Sequence, residues 1–297
     1  MKILVTGGAG FIGSNLVDGL VSQGHTVSVI DNESADTHQQ FYYNSQARYY
    51  KYDIVDYTNT RPLYNNVDIV FHVAADARIQ PATLNPIQAV RTNVLGTETV
   101  LQCAREANVG KVIYSSTSSS YGLKNPVPLR EDMPTDCLNP YSVSKVAGEE
   151  LCKMYTRLFG LKTIILRYFN VYGPREATVG QYAPVVGLFL RQRKEGVPLT
   201  IIGDGQQRRD FTHVSDVVNA NILAMTANHD HYGEVFNIGT GVNYSIIELA
   251  NLISSNQEFI QPRIGEGRET LADITKARTI LGWTPKISVD NYIKSVI

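Results

Sequence analysis

Tyr141 and Lys145 stand four residues apart, a spacing that puts a phenol and an ammonium on one face of a helix. That pairing can move protons, because the nearby positive charge favours the phenolate. Bringing a phenol from a pKa of about 10 to near 7 requires roughly 4 kcal/mol of differential stabilisation. A lysine, a helix N-terminus and a cationic ring in the same site together are a credible source of that amount. Tyr-x-x-x-Lys also occurs by chance in many helices. Here it follows Ser115-Ser116-Thr117-Ser118-Ser119-Ser120, a run of hydroxyls directly after the strand-like Lys111–Tyr114. The carboxyl end of a strand is where ligands bind in open α/β sheets. The plain alternative is a loop whose hydroxyls bond their own backbone.

A second group of residues supplies a place for a cofactor. The chain opens MKILVTGGAGFIG: an apolar run, Ile3-Leu4-Val5, then glycines at 7, 10 and 13, then an amphipathic segment from Phe11 and Ile12. This reads as a buried strand, a tight turn, and a helix whose N-terminus faces a pyrophosphate. The next strand-like run, Val27–Ile30, ends in Asp31-Asn32, and Asp31 lies 18 residues beyond Gly13. A carboxylate there accepts hydrogen bonds from an adenosine ribose and repels a 2′-phosphate, so the expected cofactor is NAD rather than NADP. A solvated strand-end carboxylate is the competing reading. Asp53-Ile54 follows a further short strand; Asp53 either reaches an adenine amino group or serves a turn. Ala74 and Ala75, after the strand Val67–Phe71, are small enough for a cofactor to lie against backbone. His72 between them and the strand reads as a packed residue rather than a catalyst. Arg209 and Arg263 are candidates for phosphate, since guanidinium forks match a diphosphate; ordinary surface arginines are the alternative.

The elements that must position these residues alternate. Strand-like runs at 3–5, 27–30, 67–71, 111–114 and 163–167 are separated by helix-like segments near 12–23, 86–107 and 142–159. The pattern predicts a Rossmann-type, doubly wound, mostly parallel sheet. Residues 1–170 would form the cofactor-binding domain and 171–297 mainly a smaller C-terminal substrate-binding lobe, with segments near 210–240 returning to the first. Helices are expected at 183–195, 214–227 and 245–255, and strands at 199–202 and 235–238.

Bulk properties exclude several classes. Lys and Arg total 27 against 28 Asp and Glu, and no basic block could track a nucleic-acid backbone. No apolar run approaches the length of a membrane span. Cys103, Cys137 and Cys152 are widely spaced and form no metal or redox motif, so no metal is expected. Their odd number and the absence of a cationic, apolar leader point to a reducing, cytoplasmic location.

Taken together these motifs resemble the extended short-chain dehydrogenase/reductase family, and within it the nucleotide-sugar 4-epimerases of the UDP-glucose and UDP-N-acetylglucosamine type. The resemblance runs through TGGAGFIGSN at 6–15, VIDN at 29–32, HVAA at 72–75, NVLGT at 93–97, SSTSSSYG at 115–122 and PYSVSK at 140–145. It continues in RYFNVYGPR at 167–175, GDGQQRRDFTHVSDV at 203–217, NIGTG at 237–241 and PRIGEGRETLADITKAR at 262–278. It implies Tyr141 as the base, Lys145 as its activator and ribose ligand, and Thr117 as the hydroxyl that shares a hydrogen bond with the sugar 4-OH. Ser115 would lie near the nicotinamide, Asn93 would bind cofactor, and Asp53 would take the adenine. Asn170, Arg209 and Arg263 would hold the sugar diphosphate. The implied reaction is NAD-dependent C4 epimerisation of a UDP-hexose or UDP-N-acetylhexosamine through a 4-keto sugar. Related dehydratases and decarboxylases carry acidic residues after the catalytic Thr, where this chain has Ser118 and Ser119; those activities, a 4-reductase and a non-catalytic dinucleotide-binding regulator are the alternatives. Relatives pair through two helices, here about 86–107 and 142–159, which implies a homodimer. HVAADARIQPA at 72–82 departs from the glucose/galactose enzymes and points to another hexose, such as an N-acetylated one.

Overall fold

The structure, a computed structural model, describes residues 1–35, 40–179, 183–227, 230–261 and 268–297. Its strands in chain order are β1 (Lys2–Thr6), β2 (Thr26–Ile30), β3 (Arg48–Tyr50), β4 (Ile69–His72), β5 (Lys111–Thr117), β6 (Thr163–Tyr168), β7 (Val171–Tyr172), β8 (Leu199–Ile202), β9 (Arg208–Asp210), β10 (Thr212–His213), β11 (Glu234–Ile238), β12 (Asn243–Ser245) and β13 (Gln257–Ile260). The helices are α1 (Phe11–Ser22), α2 (Tyr57–Thr60), α3 (Ile79–Leu84), α4 (Pro86–Val90), α5 (Gly96–Glu106), α6 (Pro140–Phe159), α7 (Val185–Glu195), α8 (Val214–Thr226), α9 (Ile246–Ile253), α10 (Thr275–Leu281) and α11 (Val289–Val296).

Seven strands form one sheet in the order β11-β6-β5-β4-β1-β2-β3, and every neighbouring pair is parallel. A parallel sheet must be covered on both faces, and its central strands are accordingly apolar on both: all residues of β5 and β6 are buried. Alternate side chains part company. Ile3, Val5, Val27 and Phe71 meet Leu16, Val17 and Leu20 of α1 and Val217, Ala220 and Ala224 of α8. Leu4, Val70, Val112 and Ile165 meet Val100, Leu101 and Ala104 of α5 and Cys152 and Tyr155 of α6. Strand order reverses between β1 and β4, where the connections leave in opposite directions and open a crevice at the strands' carboxyl ends.

A third apolar cluster lies outside the sheet. Val186 and Phe189 of α7, Leu199 and Ile201 of β8, Leu249 and Ile253 of α9 and Ile293 of α11 pack together. The final stretch, featureless in the sequence, folds as α10 and α11, and Trp283 between them is fully buried with its indole N–H donated to the Asp216 carbonyl at 2.9 Å.

Two local features bear on the crevice. Helix α6 begins in a capping box: Asn139 accepts from the Ser142 N–H, Ser142 Oγ faces the Asn139 N–H, and Pro140 opens the first turn. The expected helix 86–107 is interrupted by a π turn at Arg91–Leu95 between α4 and α5. Asn93 lies in that turn.

Candidate active site

The turn after β1 lies against the end of β4. Gly7 has φ +71°, and a Cβ on it would come 2.6 Å from the Ala74 nitrogen; a Cβ on Gly13 would come 2.0 Å from the Gly7 carbonyl oxygen. Only glycine lets α1 sit so close to the turn. Gly10 is the N-cap of α1, no side chain caps it and no acidic residue occupies its first turn, so the N–H groups of Phe11, Ile12 and Gly13, which precede the first intrahelical bond from Ser14, stay available to an anion. Asp31 closes the other side, accepting from Ala9 N–H at 2.9 Å and Glu33 N–H at 2.8 Å. Asn32 turns inward on Ser34, accepting from its N–H and its hydroxyl. Asp53 accepts from the Val55 N–H and pairs with Arg91 at 2.9 Å, while buried Ile54 packs on Gly96. Gly7, Gly13, Ala74 and Asp31 thus meet around the turn after β1 and the start of α1, while Ile54 is buried in the core beside Gly96. The cradle fits a dinucleotide: backbone donors for a pyrophosphate and a carboxylate at the end of the second strand.

Next to it, β5 delivers its hydroxyls. Ser115 Oγ is 3.0 Å from the Tyr168 hydroxyl, and Ser116 donates to Glu149 at 2.5 Å. Glu149 also takes both ends of the Arg167 fork, an ion pair buried between β6 and α6. Thr117 Oγ1 accepts from the Ser119 N–H at 3.1 Å and stands near the hydroxyl of Tyr141. Burial raises the Tyr141 pKa; the Thr117 hydroxyl and the positive charge of Arg78 pull it down, and Asp76 pushes it up. Lys145 lies one helical turn on. Its ammonium stands 4.1 Å from the centre of the Tyr114 ring, and burial brings its pKa down to about 7 against the pull of Cys152 and Glu149. The structure therefore assembles Thr117, Tyr141 and Lys145, but the cation acting on the Tyr141 hydroxyl is Arg78. His72 is a packed residue: its two nitrogens meet the Thr6 and Thr97 hydroxyls at 2.8 and 2.9 Å, and burial depresses its pKa to about 3.

Asn93 spends its side chain within the protein. Its oxygen accepts from Asp76 N–H at 2.8 Å, and its nitrogen donates to the Asp76 carbonyl at 3.0 Å and to Ser144 Oγ at 2.9 Å. Ser144 in turn donates to the Tyr141 carbonyl at 2.8 Å. The π turn thereby clamps the 74–78 loop to the first turn of α6.

Asn170 follows β6 with φ +26° and donates to the Asp210 carbonyl at 3.0 Å and to Thr270 Oγ1 at 3.3 Å. Arg209, in β9 beside Asp210, donates to the carbonyls of Arg208 and Arg268. These two are brought together; Arg263 lies outside the described residues. Two residues the sequence did not single out also belong here. Arg78 sits at the N-cap of α3, and its charge acts on Tyr141 and on Glu176. Glu176 is buried, with Oε2 lacking any partner among the described residues. The only hint of them was the unusual loop 72–82, which contains Arg78. Among the described residues no group of side chains could hold a metal ion, and no helix is long and apolar enough to cross a membrane.

Comparison with known proteins adds four findings. The sequence profile described as "NAD dependent epimerase/dehydratase family" matches residues 3–239. The UDP-glucose 4-epimerase of Mycolicibacterium smegmatis is 36% identical over 308 residues, covering 100% of this chain and 97% of that one. The UDP-N-acetyl-α-D-glucosaminuronate decarboxylase of Bacillus cytotoxicus is 35% identical over 324 residues, covering 100% and 96%. The crystal structure of the UDP-glucose 4-epimerase from Thermotoga maritima with UDP-glucose superposes with a TM-score of 0.93 at 36% identity, covering 99% of this chain and 96% of that one.

Proposed function

The chain belongs to the NAD-dependent epimerase/dehydratase family, and from that premise we propose that it interconverts the C4 epimers of a UDP-activated hexose. The observation that carries this reading is the Thr117 hydroxyl standing close enough to the Tyr141 hydroxyl to act on its pKa, at the carboxyl end of β5 beside the glycine cradle. NAD, when bound, would supply the redox chemistry, reversible hydride transfer at C4. The protein supplies orientation and proton transfer. Gly7, Gly10, Phe11, Ile12, Gly13 and Asp31 hold the pyrophosphate and adenosine ribose; Asp53, Ile54, Ala74, Ala75 and Ser115 line the rest, and Asn93 fixes the loop behind. Tyr141 as phenolate takes the proton of the sugar 4-hydroxyl, and Thr117 orients that hydroxyl. Lys145 serves the nicotinamide ribose. Asn170, Arg209 and Arg263 hold the diphosphate while the 4-keto sugar turns to present its other face, and Tyr141 then returns the proton. Ser118 and Ser119, where dehydratases and decarboxylases carry acids, favour epimerisation over those reactions.

The test is incubation of the purified protein with UDP-, GDP- and dTDP-sugars, with C4 epimers resolved by chromatography. Tyr141→Phe should lower kcat by on the order of 10³-fold, the size of a lost positioned acid–base. Full turnover by that variant would sink the mechanism. We also infer a homodimer, supported by the apolar residues that α4, the π turn and α6 leave exposed, among them Ile87, Leu95 and Val143.

A further inference from the structure

Near Tyr141 stand two polar side chains whose own hydrogen-bonding capacity the C4 chemistry leaves unfilled. Glu176 is 8% exposed; Oε1 accepts one long hydrogen bond from the Gly173 N–H at 3.4 Å, and Oε2 has no partner among the described residues. Its place is built. Gly173 and Arg175 before it hold left-handed backbone, φ +129° and +73°, and Gly187 of α7 leaves the space its carboxyl fills, since a Cβ there would come 2.8 Å from Glu176 Cδ. A non-glycine residue at positive φ is strained, and such strain persists only where the surroundings enforce it.

Arg78 lies near enough for its charge to act on Glu176. Its loop is clamped by the Asn93–Asp76–Ser144 hydrogen bonds, and α3 packs against α6. The guanidinium, half-buried, makes no hydrogen bond or ion pair among the described residues, while its charge is felt by both Tyr141 and Glu176. A guanidinium in a cleft without countercharge, and a buried carboxyl oxygen without partner, are both costly. One ligand group lying between them would satisfy both.

We propose that Arg78 and Glu176 form a subsite for a carboxylate on the sugar, so that the substrate class is a nucleotide-activated hexuronate. The proposal rests on the C4 reading of Tyr141, because the carboxylate of a hexuronate is attached at C5, the carbon next to C4. A guanidinium fork matches the two oxygens of a carboxylate. Burial, against the opposing Gly173 and Gly187 backbone N–H groups and the Arg78 charge, holds the Glu176 pKa up at about 8, so at neutral pH it offers an O–H donor instead of a repelling charge. A hydroxymethyl or an N-acetyl group would leave the guanidinium uncompensated. The other titratable groups around the subsite are Asp76 and Tyr141 at the Arg78 end and Tyr172 and Tyr292 at the Glu176 end. Asp76 acts on Tyr141 and is not among the charges acting on Arg78.

The experiment is calorimetric titration of the NAD-loaded protein with UDP-glucuronate and with UDP-glucose, alongside C4-epimer analysis of both. The wild type should bind UDP-glucuronate at least about tenfold more tightly at pH 7, the scale of a charge-assisted contact. Arg78→Gln should lose that preference, and Arg78→Lys should recover part of it. Wild-type preference should fade by pH 9 as Glu176 ionises, and Glu176→Gln should keep it there. Equal affinity of the wild type for both sugars, or equal weakening of both by Arg78→Gln, overturns the subsite. Epimerisation of UDP-glucose with no preference for the uronate would sink the subsite and leave the C4 reading standing. Arg78-dependent uronate binding with no epimer formed from either sugar would do the reverse.

Discussion

At Glu176 the folded protein and the unfolded chain disagree over one proton. Unfolded, the carboxyl ionises near its ordinary value of 4.5; folded, burial keeps the proton on until about 8. Between those values unfolding releases a proton, so this residue makes stability fall as pH rises from about 5 to 8, after which its contribution is constant. His72 acts from the acid side. Its folded pKa of about 3 lies below the ordinary 6.5, so the unfolded state binds the extra proton and stability falls as pH drops through that window. Chemical denaturation across pH 5–9 should therefore show Glu176→Gln gaining on the wild type as pH rises and levelling above 8. A parallel pair of curves would mean that Glu176 is already ionised in the folded protein. The same residue explains what the sequence could not reveal. Glu176 and Arg78 are 98 positions apart, and no spacing or periodicity encodes a meeting made by tertiary packing. Tyr141, Lys145 and the glycines were legible because their chemistry is local: one helical turn and one βα turn.

Elements were legible to the extent that their signals are local too. The parallel sheet was announced by strand-like apolar runs taking turns with helix-like segments, each of them a local signal. The π turn was not, because one extra residue in a helical turn leaves the apolar periodicity almost intact, and its reason, the clamp from Asn93 to Asp76 and Ser144, is tertiary. Another tertiary device ties α8 to the sheet. Lys111, at the start of β5, is 6% exposed and donates to the carbonyls of Ala224, Met225 and Ala227 at 3.0, 2.8 and 2.7 Å. Those carbonyls end α8, where the helix dipole is negative and intrahelical donors have run out. Sequence alone gives a strand-initial lysine no such duty. Lys111→Met should cost about 2–3 kcal/mol in urea unfolding, since it strands charge-satisfied carbonyls inside the protein. A change below about 0.5 kcal/mol would mean that water or Lys162 takes over the role. Turnover should be little affected, because Lys111 opens β5 while Thr117 closes it, roughly 20 Å apart at the rise of a β-strand.

Over the whole molecule, the face carrying α4, the π turn and α6 is the one where apolar side chains are left in water. Ile87 is 81% exposed, Leu84 76%, and Leu95 and Val143 about half. Single exposed leucines need no explanation, but a group on adjacent packed elements marks an interface. The inner sides of α6 and of α5, which continues the π turn, already cover the sheet through Val100, Leu101, Cys152 and Tyr155, so the outer residues have no further work inside one chain. Electrostatics does not oppose self-association, because the formal net charge is -1 over 297 residues. Two copies meeting through this face would form a helix bundle whose apolar centre is supplied by Ile87, Leu95 and Val143, an isologous contact in which each helix pair faces its own kind. Ile87→Glu together with Val143→Glu would place four carboxylates at that centre. Light scattering after size-exclusion chromatography should give twice the 32.9 kDa chain mass for the wild type and the single-chain mass for the double variant at the same micromolar concentration. A wild type that runs as a monomer, or a double variant that still runs as a dimer, would show that this face does not join two copies.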